Sequence, residues 1–98
     1  MSRRDNSAEL LDRQLPYDLD AEMGVLGSIL LMPDACDEVA LVVRSDDFFD
    51  EANRRLFAHM QGMHDAGGKI DVTLLVDRLK SSGEFEMVGG AAYLYKIS

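Results

Sequence analysis

Two histidines, one cysteine, a glycine-flanked lysine and a surplus of carboxylates are the groups from which this 98-residue chain could build chemistry. Gly62 to Lys69 comes nearest to a phosphate-binding loop, because Gly62 and Gly67 keep the glycine separation of G-x-x-x-x-G-K-[ST]. The match then fails: Gly68 stands at the lysine position, Lys69 is one place late, and Ile70 replaces the hydroxyl residue. Such a loop must also follow a strand and open a helix, whereas this segment sits at a helix end, where a C-cap and a turn account for it. His59 and His64 are five positions apart, which turns them about 140° from each other around a helix. Zinc helices present histidines at i and i+4, so these two read as ordinary helix-surface residues. No Glu-x-x-His pair, His-Glu-x-x-His run or Gly-x-Ser-x-Gly elbow occurs. Cys36 stands beside Asp34 and Asp37, whose charges disfavour a thiolate, and a packed or half-exposed thiol is expected. The expectation is therefore no catalytic, cofactor-binding, metal-ligating or nucleic-acid-contacting residue in this chain, with the protein-contacting residues left open.

Two further groups could serve binding. Met60 and Met63 can belong to an adaptable surface, but they fall on a core stripe. Phe48 and Phe49 are adjacent aromatics in the acidic turn Asp46-Asp47-Phe48-Phe49 and cannot both easily point inward. At least one is expected in the core, which leaves the other for a second part of the fold or a partner.

Charge narrows the classes. Lysine and arginine total 10 against 18 aspartates and glutamates, a formal charge of −8. Nucleic-acid affinity rests on clustered cations that neutralise phosphates, and here the basic residues are scattered apart from Arg3-Arg4 and Arg54-Arg55. Direct DNA binding is not expected, and an acidic surface better fits a basic protein partner. No apolar run approaches the ~18–20 residues of a membrane span, and Met1 to Gln14 lacks the apolar stretch of a signal peptide. One cysteine excludes a disulfide framework and points to a reducing compartment, so a cytoplasmic location is expected.

The elements that must position these groups are helical. Residues 1–14 read as a disordered tail, and residues 15–98 as one domain, which Pro16 opens. Asp18 caps a first helix from about Leu19 to Leu31, with Asp20 and Glu22 favourable in its first turn and enough apolar residues for a mostly buried helix. Gly24, Gly27 and Ser28 form a small-residue patch against which another helix can pack closely. Pro33 ends that helix and Asp34 can cap the next, from about Ala35 to Val43, with Val39, Val42 and Val43 inward. By propensity alone Val39 to Val43 could also be a strand. A third helix runs from about Glu51 to Ala66, with Ala52, Leu56, Met60 and Met63 on one face and Gly67-Gly68 stopping it. Asp71 caps a fourth to about Ser82, with Val72, Leu75, Val76 and Leu79 as its inner stripe and Gly83 after its end. Gly89-Gly90 turns into a last helix from Ala91, carrying Ala92, Tyr93, Leu94 and Ile97, whose apolar pattern is unfinished at Ser98. The fold class is all-α: a compact bundle of five or six short helices.

A family pattern runs through these residues. Pro16 to Leu31, with Asp20-Ala21-Glu22 and Val25-Leu26-Gly27 leading to Leu30, resembles the opening of the bacterial replicative DNA helicase of the DnaB type. The likeness continues through Glu38-Val39, Asp47-Phe48-Phe49, Arg54, Phe57 and Met60, then Ile70-Asp71, Leu74, Leu79 and Gly83. It closes with Val88-Gly89-Gly90 and Tyr93-Leu94, covering about Leu15 to Ser98. Asp20 departs from the family's usual Glu, and Phe49 from its more usual Tyr.

The resemblance implies an N-terminal head domain, followed in the family by a helical hairpin, before which this chain is expected to be truncated. Family members form a hexameric ring whose C-terminal RecA-like domain uses ATP and Mg to translocate along single-stranded DNA. Their N-terminal domains form a collar that serves subunit assembly and contacts primase and the helicase loader. None of the family's catalytic residues has a position here, so no cofactor is expected in this fragment, and primase contact is expected to be weakened without the hairpin. Two other classes fit the residues: a stand-alone helical adaptor or loader-like protein sharing the head fold, and a small enzyme or metal-binding bundle.

Overall fold

The computed structural model describes residues 18–98; the tail read over residues 1–14, with Arg3-Arg4 and Pro16, lies outside them. The described residues form five α-helices: α1 (Leu19–Leu31), α2 (Ala35–Val42), α3 (Glu51–Asp65), α4 (Val72–Ser82) and α5 (Gly90–Ile97). A single 3-10 turn, Ser45–Asp47, joins α2 to α3. The all-α expectation holds, and the ambiguous valine run is helical until Val43, where the backbone becomes extended.

Short aspartates fix three helix starts by accepting an orphan amide. Asp18 accepts from Ala21 N at 3.0 Å, Asp50 from Asn53 N at 3.1 Å and Asp71 from Leu74 N at 2.8 Å. Asp34 does not cap α2, contrary to expectation. The Met32-Pro33 carbonyls already take the Ala35 and Cys36 amides at 2.8 and 3.0 Å, which leaves that side chain no local donor. Gly83 ends α4 at φ 77°, a left-handed conformation that favours glycine.

The core gathers Leu26 and Ile29 of α1, Cys36 of α2, Leu56, Phe57, Met60 and Met63 of α3, Leu75 and Leu79 of α4, and Leu94 and Ile97 of α5. Phe48 joins it, 3% exposed, with its ring centroid 5.1 Å from that of Phe57, while Phe49 is 50% exposed. Leu30 is partly buried at the edge of the core. Helix α1 is not mostly buried, since Leu19 and Leu31 at its two ends are exposed. Val42 is likewise not inward: it is 78% exposed. Helical spacing puts it about 120° from Cys36, whereas Val43 returns to within about 20°. Val72, in the first turn of α4, lies at the rim rather than on the inner stripe, and Ala92 faces out. The small-residue patch is used at one position. A Cβ on Gly27 would come within 2.5 Å of the Ile97 carbonyl of α5, whereas one on Gly24 would meet nothing within 4 Å.

Candidate interaction surface

Two polar clusters join helices that are distant in sequence. Glu22, one turn into α1, is buried and faces the start of α3. Its Oε2 accepts from Phe49 N at 2.6 Å, and its Oε1 accepts from Asp50 N at 3.3 Å and Asn53 Nδ2 at 2.7 Å. A carboxylate suits that place, because the amides at a helix N-terminus present partial positive charge. Asn53, itself buried, accepts at Oδ1 from the Tyr93 hydroxyl of α5. Burial, with the nearby charges of Asp50 and Glu22, pushes the Tyr93 phenol up and keeps it a donor.

Glu84 centres the second cluster, just after α4. Its carboxylate accepts from the Ser82 hydroxyl at 2.7 Å and pairs with His59 Nε2 and Arg55 Nη1, each at 2.5 Å. The Ser82 hydrogen bond, then those of His59 and Arg55, bring its carboxyl down to about 2. His64 pairs separately with Asp37 at 2.5 Å and ties α3 to α2. Each histidine of α3 thus serves its own carboxylate, and they do not converge. Among the described residues no group of three or more His, Cys, Asp or Glu side chains could hold a metal ion.

The other candidates also resolve as parts of the fold. Cys36 is fully buried; burial first, then the charges of Asp37 and Asp65, raise its pKa and hold it as a thiol. At Gly62 to Lys69 the Gly67 and Gly68 amides turn back to the His64 and Met63 carbonyls, both at 2.9 Å, so they do not fan outward around a phosphate. Met60 and Met63 are buried. Arg54 donates to the Phe48 and Phe49 carbonyls and to Glu51, while Arg55 spans Glu51 and Glu84. Helical spacing points to the methionines as core, and the flanking Asp34 and Asp37 point to Cys36 as an inert thiol. The Glu22–Asn53–Tyr93 and Glu84 clusters escaped that reading; its one available signal was an Asn in the first turn of an amphipathic helix.

Contact capacity lies outside the core. Leu31, Met32, Leu41, Val42 and Tyr95 are large apolar side chains with most of their surface exposed, Leu41 at 84%. Between α3 and α4 runs a groove floored by Met63, Ala66 and Leu74 and edged by Lys69, Asp77 and Arg78. Arg78 donates from Nε to His59 Nδ1 at 3.4 Å, and its guanidinium lies over Gly62, where a Cβ would stand 2.9 Å away. No helix among the described residues is long and apolar enough to cross a membrane.

Comparison with known proteins gives one answer. The family model of the DnaB-like helicase N terminal domain matches residues 14–98. The replicative DNA helicase DnaB of Buchnera aphidicola subsp. Schizaphis graminum is 39% identical over 83 residues, covering 85% of this chain and 18% of that protein. The replicative DNA helicase DnaC of Bacillus subtilis is 33% identical over 89 residues, covering 91% of this chain and 20% of its own length. This chain therefore spans about a fifth of the length of these curated relatives. Among solved structures, the N-terminal domain of DnaB helicase from Mycobacterium tuberculosis superposes with a TM-score of 0.80 at 32% identity, over 84% of this chain and 59% of that one.

Proposed function

This chain belongs to the DnaB-like helicase N-terminal domain family, and from that premise we propose that it is the collar head of a hexameric replicative DNA helicase. The head serves subunit assembly and contact with primase and the helicase loader, in the cytoplasm, and performs no catalysis. Unwinding at the replication fork, with its ATP and Mg, belongs to a C-terminal RecA-like domain of the whole protein. One observation carries the reading: polar chemistry is spent inside the fold on helix-to-helix clusters, while Leu31, Met32, Leu41, Val42 and Tyr95 remain outside a closed core. Large apolar side chains left most of the way exposed on a small domain offer area for contact rather than groups for reaction.

A chimera tests this. Residues 14–98 replace the matching stretch of the Bacillus subtilis replicative helicase, and ring mass and strand unwinding are measured beside a variant lacking the stretch. The chimera is expected to form the ring and unwind. A chimera that is helical by circular dichroism yet does neither would overturn the collar reading in favour of a stand-alone adaptor.

A further inference from the structure

We propose that His59 is a proton switch: on taking up a second ring proton it releases Arg78 from its seat at the edge of the α3–α4 groove. The inference goes beyond the collar reading and stands independently of it.

Both nitrogens of the His59 ring are engaged, and their partners dictate one tautomer. Nε2 lies 2.5 Å from Glu84 Oε1, and Nδ1 lies 3.4 Å from Arg78 Nε. A guanidinium can only donate, so Nδ1 must offer its lone pair; an ionised carboxylate can only accept, so Nε2 must carry the proton. Glu84 is ionised, since its carboxyl titrates at about 2. The ring that makes both contacts is therefore neutral. A second proton can bind only at the Nδ1 lone pair. There it turns the acceptor into a donor and sets an imidazolium against the guanidinium, so Arg78 loses its hydrogen bond and meets a like charge in one event. Glu84 holds the charged ring at least as well as the neutral one, so His59 stays and Arg78 moves. The other charged groups around the ring do not hold Arg78 in place. Arg55, one turn earlier on α3, is taken up by Glu51 and Glu84, and Lys69 and Asp77 line the groove beside Arg78. Among the described residues no ion pair joins Arg78 to a carboxylate.

Gly62 supplies the seat. It follows His59 by three residues and so lies on the same face of α3. A Cβ there would stand 2.9 Å from Arg78 Nη2. Glycine inside a helix is otherwise unfavourable, and at this position it leaves room for the guanidinium against α3. Once released, Arg78 no longer ties α4 to α3 through His59, and the groove gains the positive charge of the ring.

Nitrogen-15 NMR of the 98-residue protein across a pH series tests the proposal. Above its titration midpoint the His59 ring is expected as the Nε2–H tautomer. The Arg78 Nε proton is then expected to exchange more slowly than that of free arginine at the same pH. On acidification this protection is expected to vanish with the same midpoint as the ring. R78Q is expected to raise the ring's midpoint, because the cation that resists the second proton is gone. G62A fills the seat with a methyl group and installs a better helix former. It is expected to keep native helicity by circular dichroism and to lose the Arg78 protection at every pH. A His59 ring found as the Nδ1–H tautomer overturns the proposal. So does an Arg78 proton whose protection does not follow the ring, or a midpoint that R78Q leaves unmoved.

Discussion

Glu22 holds three donors from one distant stretch of the chain, residues 49–53, on one buried carboxylate. Replacing it by Ala removes that acceptor from the buried Asn53 amide and from two part-buried backbone amides, at about 1–3 kcal/mol for a buried group left unsatisfied and less for the others. Allowing for partial rehydration, Glu22→Ala is expected to lower the unfolding free energy by about 3–5 kcal/mol in urea titrations. Glu22→Gln keeps an acceptor oxygen and costs less. Glu84 carries a pH signature. Its carboxyl, ordinarily near 4.5, titrates at about 2 in the fold, so between those values the unfolded chain binds the proton and the folded one does not. Its contribution to stability is complete above pH 4.5 and drains away as pH falls towards 2. Denaturation across a pH series is expected to show wild type and Glu84→Gln converging through that window. Neither carboxylate was legible as a hub, because the sequence displays Glu22 as a first-turn charge and Glu84 as one acid in a link. Apart from Ser82, two residues from Glu84, their partners lie 25 to 31 residues away.

Helix boundaries were legible because they are decided locally. Asp18 and Asp71 cap as read, and α1 and α4 end at the residues expected, since a short acceptor before an apolar run needs no distant partner. Asp34 misled for an equally local reason, a backbone turn that satisfied the amides first. Which face a short helix buries was less legible: α2 offers apolar residues nearly all round, and only its seat on α1 and α3 selects Cys36 over Val42. The small-residue patch of α1 supplies a paired test. Gly24→Ala meets open space and trades a flexible residue for a helix former, so it is expected to raise stability by about 0.5–1 kcal/mol. Gly27→Ala drives a methyl group into the Ile97 carbonyl and is expected to lower it by about 1–3 kcal/mol. Thermal melts of the two variants should move in opposite directions.

For the molecule as a whole, a chain of this size has little core to spare. Phe57 is fully buried, contacts Phe48, and lies on α3, which packs against α1, α2 and α4. Phe57→Ala is expected to cost about 3–5 kcal/mol, a large share of the ~5–10 kcal/mol available to such a domain. An unchanged melting midpoint would contradict this account of the core. The family was legible because its pattern is spread over the same capping, stripe and turn residues that build the fold. The contact surface was not: Leu41 and Val42 look like core residues in a sequence, and only packing reveals that the described residues leave them exposed.

The link from Tyr93 to Asn53 joins positions 40 residues apart, and this separation has a consequence in time. Such a contact closes only once α5 has met α3, and we expect that docking late along the folding path, as for contacts of long sequence separation generally. A late contact acts on the rate of escape from the native state and leaves the rate of reaching it almost untouched. In stopped-flow measurements Tyr93→Phe is accordingly expected to steepen nothing and slow nothing on the refolding limb, while the unfolding limb moves upward. The hydroxyl would then act as a clasp on the finished head, setting how long each copy stays folded.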